Sequence, residues 1–313
     1  MTTHKLNQHP STVELSELLQ AGLEAVEREM LSVVSSEITI LRDASTHILE
    51  AGGKRVRPRV LLLAFIAAGG TDIDRVAAAG AAVELMHTAS VVHDDINDHG
   101  ILRCGRPSVN AKWGRTFALL TGDFLFTAVY QLMSPYGELN KILADSATAL
   151  VEGETLQAYA VKNSEFTREN YVRIIALKTA ALFRAAAEIG ARLADADEET
   201  VQALREFGYD IGLAFQITDD ILDIVGDETV LGKTAGIDIT QGRGISSVDV
   251  AENGEDPMEA IKQKFMTGNR LQEAQEQAYG LIQMAVSKLR ILPDSGAKDE
   301  LIKMALDMSD RKN

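Results

Sequence analysis

Glu84-Leu85-Met86-His87-Thr88-Ala89-Ser90-Val91-Val92-His93-Asp94-Asp95-Ile96-Asn97-Asp98 is an apolar run that ends in carboxylates of the form DDxxD. On a helix of about 3.6 residues per turn, Asp98 stacks over Asp94 and Asp95 lies one step round. Like charges at that spacing destabilise a helix by roughly 0.2–0.5 kcal/mol, so a divalent cation is the obvious compensating partner. The pattern returns at Asp219-Asp220-Ile221-Leu222-Asp223, closing a second apolar run from Ile211 to Thr218. One such cluster reads as a solvated helix end. Two, each closing an Ala- and Gly-containing stretch that would be buried, point their carboxylates at something.

Outward from these runs the chain is helical in character. Its 313 residues are 46% hydrophobic and 25% charged, which places it among ordinary soluble globular chains. Aromatics are few, Ala, Leu and Glu are many, and no alternating β-branched run is long enough for a sheet. An all-α, single-domain helical bundle over residues 1–313 is expected. The predicted helices run Val13–Val34, Ser36–Glu50, Pro58–Ala68, Thr71 to the first acidic cluster, Phe117–Met133, Leu139–Lys162, Arg168–Leu193 and Glu198–Val225. Two or three amphipathic helices follow within 258–308. Residues 1–10 are polar and expected to fray. Residues 226–257, rich in Gly, Asp and Thr and holding Lys233 and Arg243, read as a long loop over the active site.

The net charge is −15, from 31 Lys and Arg against 46 Asp and Glu, which excludes nucleic acid as the expected partner. The same balance disfavours anionic lipid. Cys104 is the only cysteine, so no internal disulfide forms and a cytoplasmic location is expected. The first thirty residues lack a signal-peptide pattern, and no charge-free apolar run reaches about 18 residues, so no integral membrane segment is expected.

Basic residues gather in an otherwise acidic protein. Lys54, Arg55 and Arg57 follow Gly52-Gly53 and precede a helix opening near Pro58, where free N–H groups and the dipole favour an anion. A solvated basic turn is the plain alternative. Arg103 lies in a loop just past Asp98, and Lys178-Thr179 stands inside an apolar stretch, where a lysine commonly snorkels. Carboxylate clusters hold hard cations, and Mg²⁺ binds through one or two carboxylates plus substrate phosphate oxygens. Together these features describe one cavity with two phosphate-handling regions, suited to a metal-activated diphosphate leaving group beside a second diphosphate substrate.

The chain resembles the trans-isoprenyl (polyprenyl) diphosphate synthases. The resemblance rests on Gly53-Lys54-Arg55-x-Arg57-Pro58, Glu84-Leu85-Met86-His87, His93-Asp94-Asp95-x-x-Asp98, Arg103-x-Gly105, Gly122-Asp123, Lys178-Thr179-Ala180, Gln216-x-x-Asp219-Asp220-x-x-Asp223 and Gly232-Lys233, in family order over about residues 45–245. It implies a bundle around a deep cavity, usually homodimeric. It implies Mg²⁺, about two to three ions, on Asp94, Asp98 and Asp219, supported by Asp95, Asp220 and Asp223. Arg103, Lys178 and Lys233 would help to clamp an allylic diphosphate. The backbone oxygen near Lys178, the Thr179 hydroxyl and Gln216 would stabilise the allylic cation. Lys54, Arg57 and His87 would bind isopentenyl diphosphate.

Two departures stand out. Where the family usually carries a second arginine that contacts isopentenyl diphosphate, this chain has Cys104, and Arg106 or Arg55 are the candidates to offset it. After Gly242 the family's Thr-Leu-Pro turn is replaced by Arg243-Gly244-Ile245-Ser246-Ser247. Product length would follow cavity depth. Ala89 and Ser90 lie about one turn, roughly 6–7 Å, below Asp94; both are small where short-chain members carry an aromatic, with Met86 or residues of the next helix as a lower floor. A product of geranylgeranyl length or longer is expected. A class I terpene cyclase has no use for the second diphosphate site, and a non-catalytic subunit of a heteromeric synthase is the other alternative.

Overall fold

The computed structural model describes residues 12–163, 165, 167–225 and 269–309. Within them the helices are α1 (Thr12–Val33), α2 (Thr39–Glu50), α3 (Val56–Ala67), α4 (Asp74–Asn97), α5 (Val109–Trp113), α6 (Arg115–Met133), α7 (Glu138–Lys162), α8 (Arg168–Ile175), α9 (Ala181–Leu193), α10 (Glu198–Val225), α11 (Arg270–Lys288) and α12 (Gly296–Ser309). The described β structure is one tight hairpin, β1 (Leu102–Arg103) against β2 (Arg106–Pro107). The architecture is the all-α bundle that the helical patterning predicts. The frayed start at 1–10 and the loop at 226–257 lie outside the described residues.

α4 sits at the centre because small and apolar residues surround it from Val76 to Val83, ahead of Glu84 and His87. Nearly every residue from Val76 to Ser90 is buried, as expected of a helix apolar all round. α1, α3, α6 and α9 pack against it. α3 is buried from Val60 through Ala67 and lies against α9. A smaller apolar cluster, including Tyr171, Ile175, Leu213, Ile217, Ile221 and Ala278, joins α8, α10 and α11. α6 and the 3₁₀ turn that follows it, Arg115–Tyr136, form the one helical stretch among the described residues long and apolar enough to cross a membrane. It includes Asp123 and packs along α4 and α2.

Two boundaries differ informatively from expectation. α3 opens at Val56, so Pro58 occupies the third helical position, where its missing N–H has no intrahelical partner to lose. Arg55 makes the sharp entry with a left-handed φ of +46°. The helix expected over Arg168–Leu193 is interrupted by a π-helical turn at Ala176–Ala180. Glycines let two neighbours press on that turn. A Cβ on Gly153 of α7 would lie 2.7 Å from Lys178 Cγ, and one on Gly212 of α10 would lie 2.6 Å from Ala180 Cα.

Candidate active site

The first acidic cluster and one member of the second, Asp220, line one cavity, whereas Asp219 and Asp223 are not among its lining residues. The cavity has a volume of about 230 Å³, and its lining includes Asp94, Asp95 and Asp98 at the end of α4, Asp220 on α10, and Lys178, Thr179 and Gln216 between them. Both clusters lie at helix C-termini, where the dipole disfavours negative charge. The Asp98 N–H donates to the Asp94 carbonyl at 2.8 Å, so Asp98 ends α4 and fixes the spacing of the acids. Burial pushes the Asp94 carboxyl up to about 7; Lys178 opposes the shift, and Glu154 and Asp98 add to it. Asp95 is also raised by burial, against Arg103. Its Oδ1 accepts from Arg103 Nη2 at 2.6 Å, while its buried Oδ2 has no hydrogen-bond partner among the described residues.

These groups suit a hard cation shared with a phosphate. Among the described residues no three His, Cys, Asp or Glu side chains are gathered tightly enough to hold a metal alone. Mg²⁺ in phosphate sites takes only one or two carboxylates and fills the rest of its shell with water and substrate oxygens. An acidic pair with a raised pKa and a buried carboxylate oxygen lacking a partner fit that donor set.

Asp220 is held from two sides, its Oδ2 accepting from the Tyr171 hydroxyl at 2.7 Å and its Oδ1 from Gln216 Nε2 at 2.9 Å. Gln216 Oε1 in turn accepts from the Thr179 hydroxyl at 2.7 Å. A hydrogen-bonded chain thus links the π-helical turn to the second acidic cluster. Asp219 is half-buried and close enough to Arg57 to act on its charge. Asp223 is buried on the same helix. Lys178 reaches across to α7, donating to Gln157 Oε1 at 2.9 Å and pairing with Glu154. Glu154, Gln157 and Tyr171 were not singled out from sequence. Each belongs to no spaced motif, and Glu154 beside Glu152 has the look of a solvated helix face.

Basic groups share the cavity with the acids. Arg57 is buried, lines the cavity and has a lowered pKa, chiefly from burial, with Glu84 and Asp219 opposing. His87 is held well below its usual pKa, first by burial and then by Arg57, Arg103 and Arg55, so it is neutral at pH 7. Arg55 donates to the Leu49 carbonyl at 2.8 Å and pairs with Glu84 and Glu27. The structure does not bring Lys54 into this cavity. It is exposed, in a separate depression bordered by Arg59, Glu300 and Lys303. Lys233 lies outside the described residues.

The proposed length residues also divide. Ser90 lines the cavity, whereas Ala89 is fully buried in the main core and Met86 lies one turn deeper. Ala89 and Ser90 are neighbours pointing about 100° apart on α4, so only one can face the cavity directly.

The sequence profile described as Polyprenyl synthetase matches residues 38–282. The chain is 42% identical to heptaprenyl diphosphate synthase component 2 of Geobacillus stearothermophilus over 72% of this chain and 70% of that one. It is 30% identical to octaprenyl diphosphate synthase of Escherichia coli K12 over 93% of this chain and 96% of that one. Its structure matches that of a polyprenyl synthase from Caulobacter crescentus complexed with calcium and isoprenyl diphosphate, at a TM-score of 0.89 and 30% identity, covering 98% and 99% of the two chains. The profile over residues 38–282, the sequence identities and the shared helical scaffold all agree: the chain belongs to the polyprenyl synthetase family and is an enzyme of prenyl chain elongation.

Proposed function

We propose that this enzyme condenses an allylic diphosphate with isopentenyl diphosphate, head to tail, releasing pyrophosphate and an all-trans polyprenyl diphosphate of geranylgeranyl length or longer. The observation that carries this is one cavity lined by acids together with buried Arg57 and neutral His87. Asp94, Asp98 and Asp219 would hold Mg²⁺, with Asp95, Asp220 and Asp223 in support. Bound Mg²⁺ supplies positive charge to the departing diphosphate. Lys178 and Arg103 add to that charge from the protein, as does Lys233 in this reading. The allylic C–O bond breaks with its electron pair going to the diphosphate. The hydrogen-bonded Thr179 and Gln216 oxygens, with the backbone oxygen of the π-helical turn, face the resulting cation. Arg57 and His87 hold isopentenyl diphosphate so that its double bond adds to that cation. The new tertiary cation then loses a proton to the released pyrophosphate. Neutral His87 can accept or donate one hydrogen bond without repelling the neighbouring arginines.

Small Ser90 on the cavity wall supports the longer product. Exposed apolar side chains on α6 (Phe117, Leu119, Leu120, Tyr130) and α7 (Val151, Tyr159) support a homodimer. The lone cysteine supports a cytoplasmic setting, and one core cluster reaching from Leu15 to Met308 supports a single domain. A second reading, a subunit that needs another chain, is favoured by the name of the Geobacillus stearothermophilus relative, a synthase component. Purified protein incubated with farnesyl diphosphate, labelled isopentenyl diphosphate and Mg²⁺ tests both. Chain-extended products are expected; failure to incorporate any isopentenyl diphosphate would sink the first reading and leave the second.

A further inference from the structure

Arg57 is a buried cation on the cavity wall, yet among the described residues no polar side chain is hydrogen-bonded to it. Its Nε has no hydrogen-bond partner, and Glu84 and Asp219 act on its charge without bonding to it. What the guanidinium does touch is the face of Phe183, whose ring centroid lies 4.8 Å from Arg57 Cζ. Phe183 is fully buried on α9 and packs against Phe215 of α10, ring centroids 5.3 Å apart. The backbone that carries the ring is packed closely against α10. A Cβ on Gly208 of α10 would lie 2.6 Å from the Phe183 carbonyl oxygen, and one on Gly212 would lie 3.1 Å from Phe183 Cβ.

A carboxylate in this place would neutralise Arg57 and occupy its donors. An aromatic face attracts the cation through its quadrupole and leaves the N–H edge unspent. We propose that Phe183 is a positioning residue for isopentenyl diphosphate, fixing the Arg57 guanidinium so that its free donors are presented to the substrate diphosphate. This rests on the reading of Arg57 as a diphosphate ligand. The Phe183–Phe215 pair, clamped by the glycines of α10, sets the ring on which the guanidinium lies.

The test is a double-mutant cycle on the full-length enzyme. Phe183→Leu should raise KM for isopentenyl diphosphate about tenfold, the size of a desolvated cation–π contact. KM for the allylic diphosphate should stay within about twofold and kcat within about threefold. Phe183→Tyr, which keeps the ring, should stay within about threefold of the parent on every constant. In an Arg57→Gln background, Phe183→Leu should change KM for isopentenyl diphosphate by less than about twofold, since the group it acts through is gone. Equal rises in both KM values, a fall in kcat alone, or an unchanged effect in the Arg57→Gln background would each overturn the proposal. Phe183→Met is made in parallel and both variants are checked by circular dichroism. If neither folds, Phe183 is a core residue and the positioning role is refuted. If Arg57→Gln alone leaves KM for isopentenyl diphosphate unchanged, the reading of Arg57 itself has failed, a result distinct from failure at Phe183.

Discussion

Asp220 accepts from both Tyr171 and Gln216, so each of its oxygens is oriented before any ligand arrives. Removing the Tyr171 hydroxyl takes one donor from a buried carboxylate, a loss of about 1–3 kcal/mol. Tyr171→Phe should therefore lower stability by about 1–2 kcal/mol in urea titration and raise the Mg²⁺ concentration for half-maximal activity about tenfold. An unchanged Mg²⁺ requirement would show that Asp220 does not serve the metal. His87 carries a second consequence at this scale. Its folded pKa lies well below 6.5, so the unfolded chain binds the extra proton, and the contribution of His87 to stability is lost as pH falls below about 6.5. His87→Asn should flatten that limb of the stability profile. What sequence makes legible here is the acids, because DDxxD spacing is a property of one helix. Tyr171, Glu154 and Gln157 are invisible to it, since only the packing of α7 and α8 around the π-helical turn and α9 brings them to the cavity.

Helix spacing decides which neighbours of Asp94 face the cavity, and here local pattern and tertiary packing part company. Asp94, Ser90 and Met86 form one stripe on α4, four residues apart, while Gln157, Glu154, Leu150 and Ser146 form the facing stripe on α7. The upper members of both line the cavity. Lower down the stripes meet, with Ser146 Oγ 3.7 Å from Met86 Sδ and both residues buried. This contact is about 12 Å of helix below Asp94. Met86→Ala should lengthen the product by one or more isoprene units and Ser146→Leu should not. Identical product chromatograms for Met86→Ala and the parent would place the floor elsewhere. Ser90→Phe should shorten the product. Ala89→Phe, by contrast, should overpack the main core and destabilise by about 1–3 kcal/mol without shortening it. From sequence alone Ala89 and Ser90 are equivalent, because one sees distance along α4 but not which side α6 occupies. The π-helical turn is hidden for the same reason: Gly153 and Gly212, the residues that admit it, lie on two other helices.

At the scale of the whole molecule, the fold brings the first acidic cluster, Asp220 and a buried arginine to one hollow, where ionising a carboxylate is costly. The Asp94 carboxyl, at about 7 against an ordinary value of 3.8, holds its proton in the folded protein over a range where the unfolded chain has lost it. Its contribution to stability is therefore full below about 4 and declines as pH rises toward 7, because ionising it costs more in the cavity than in water. A divalent cation needs the ionised form, and below about pH 7 it competes with a proton, with apparent affinity falling about tenfold per unit. Mg²⁺ with pyrophosphate at about 100 times its dissociation constant should add about 2.7 kcal/mol of stability, several degrees in thermal midpoint. That gain should be clear at pH 8 and shrink by pH 6. Part of the shrinkage comes from pyrophosphate taking up its own protons, so Asp94→Asn is the control. The variant should lose most of the gain at pH 8, and the difference from the parent should close as pH falls. An Asp94→Asn protein stabilised as much as the parent at pH 8 would remove Asp94 from the metal site. With it would go the view that the chain's acidic helix ends meet in order to share a cation with a substrate phosphate.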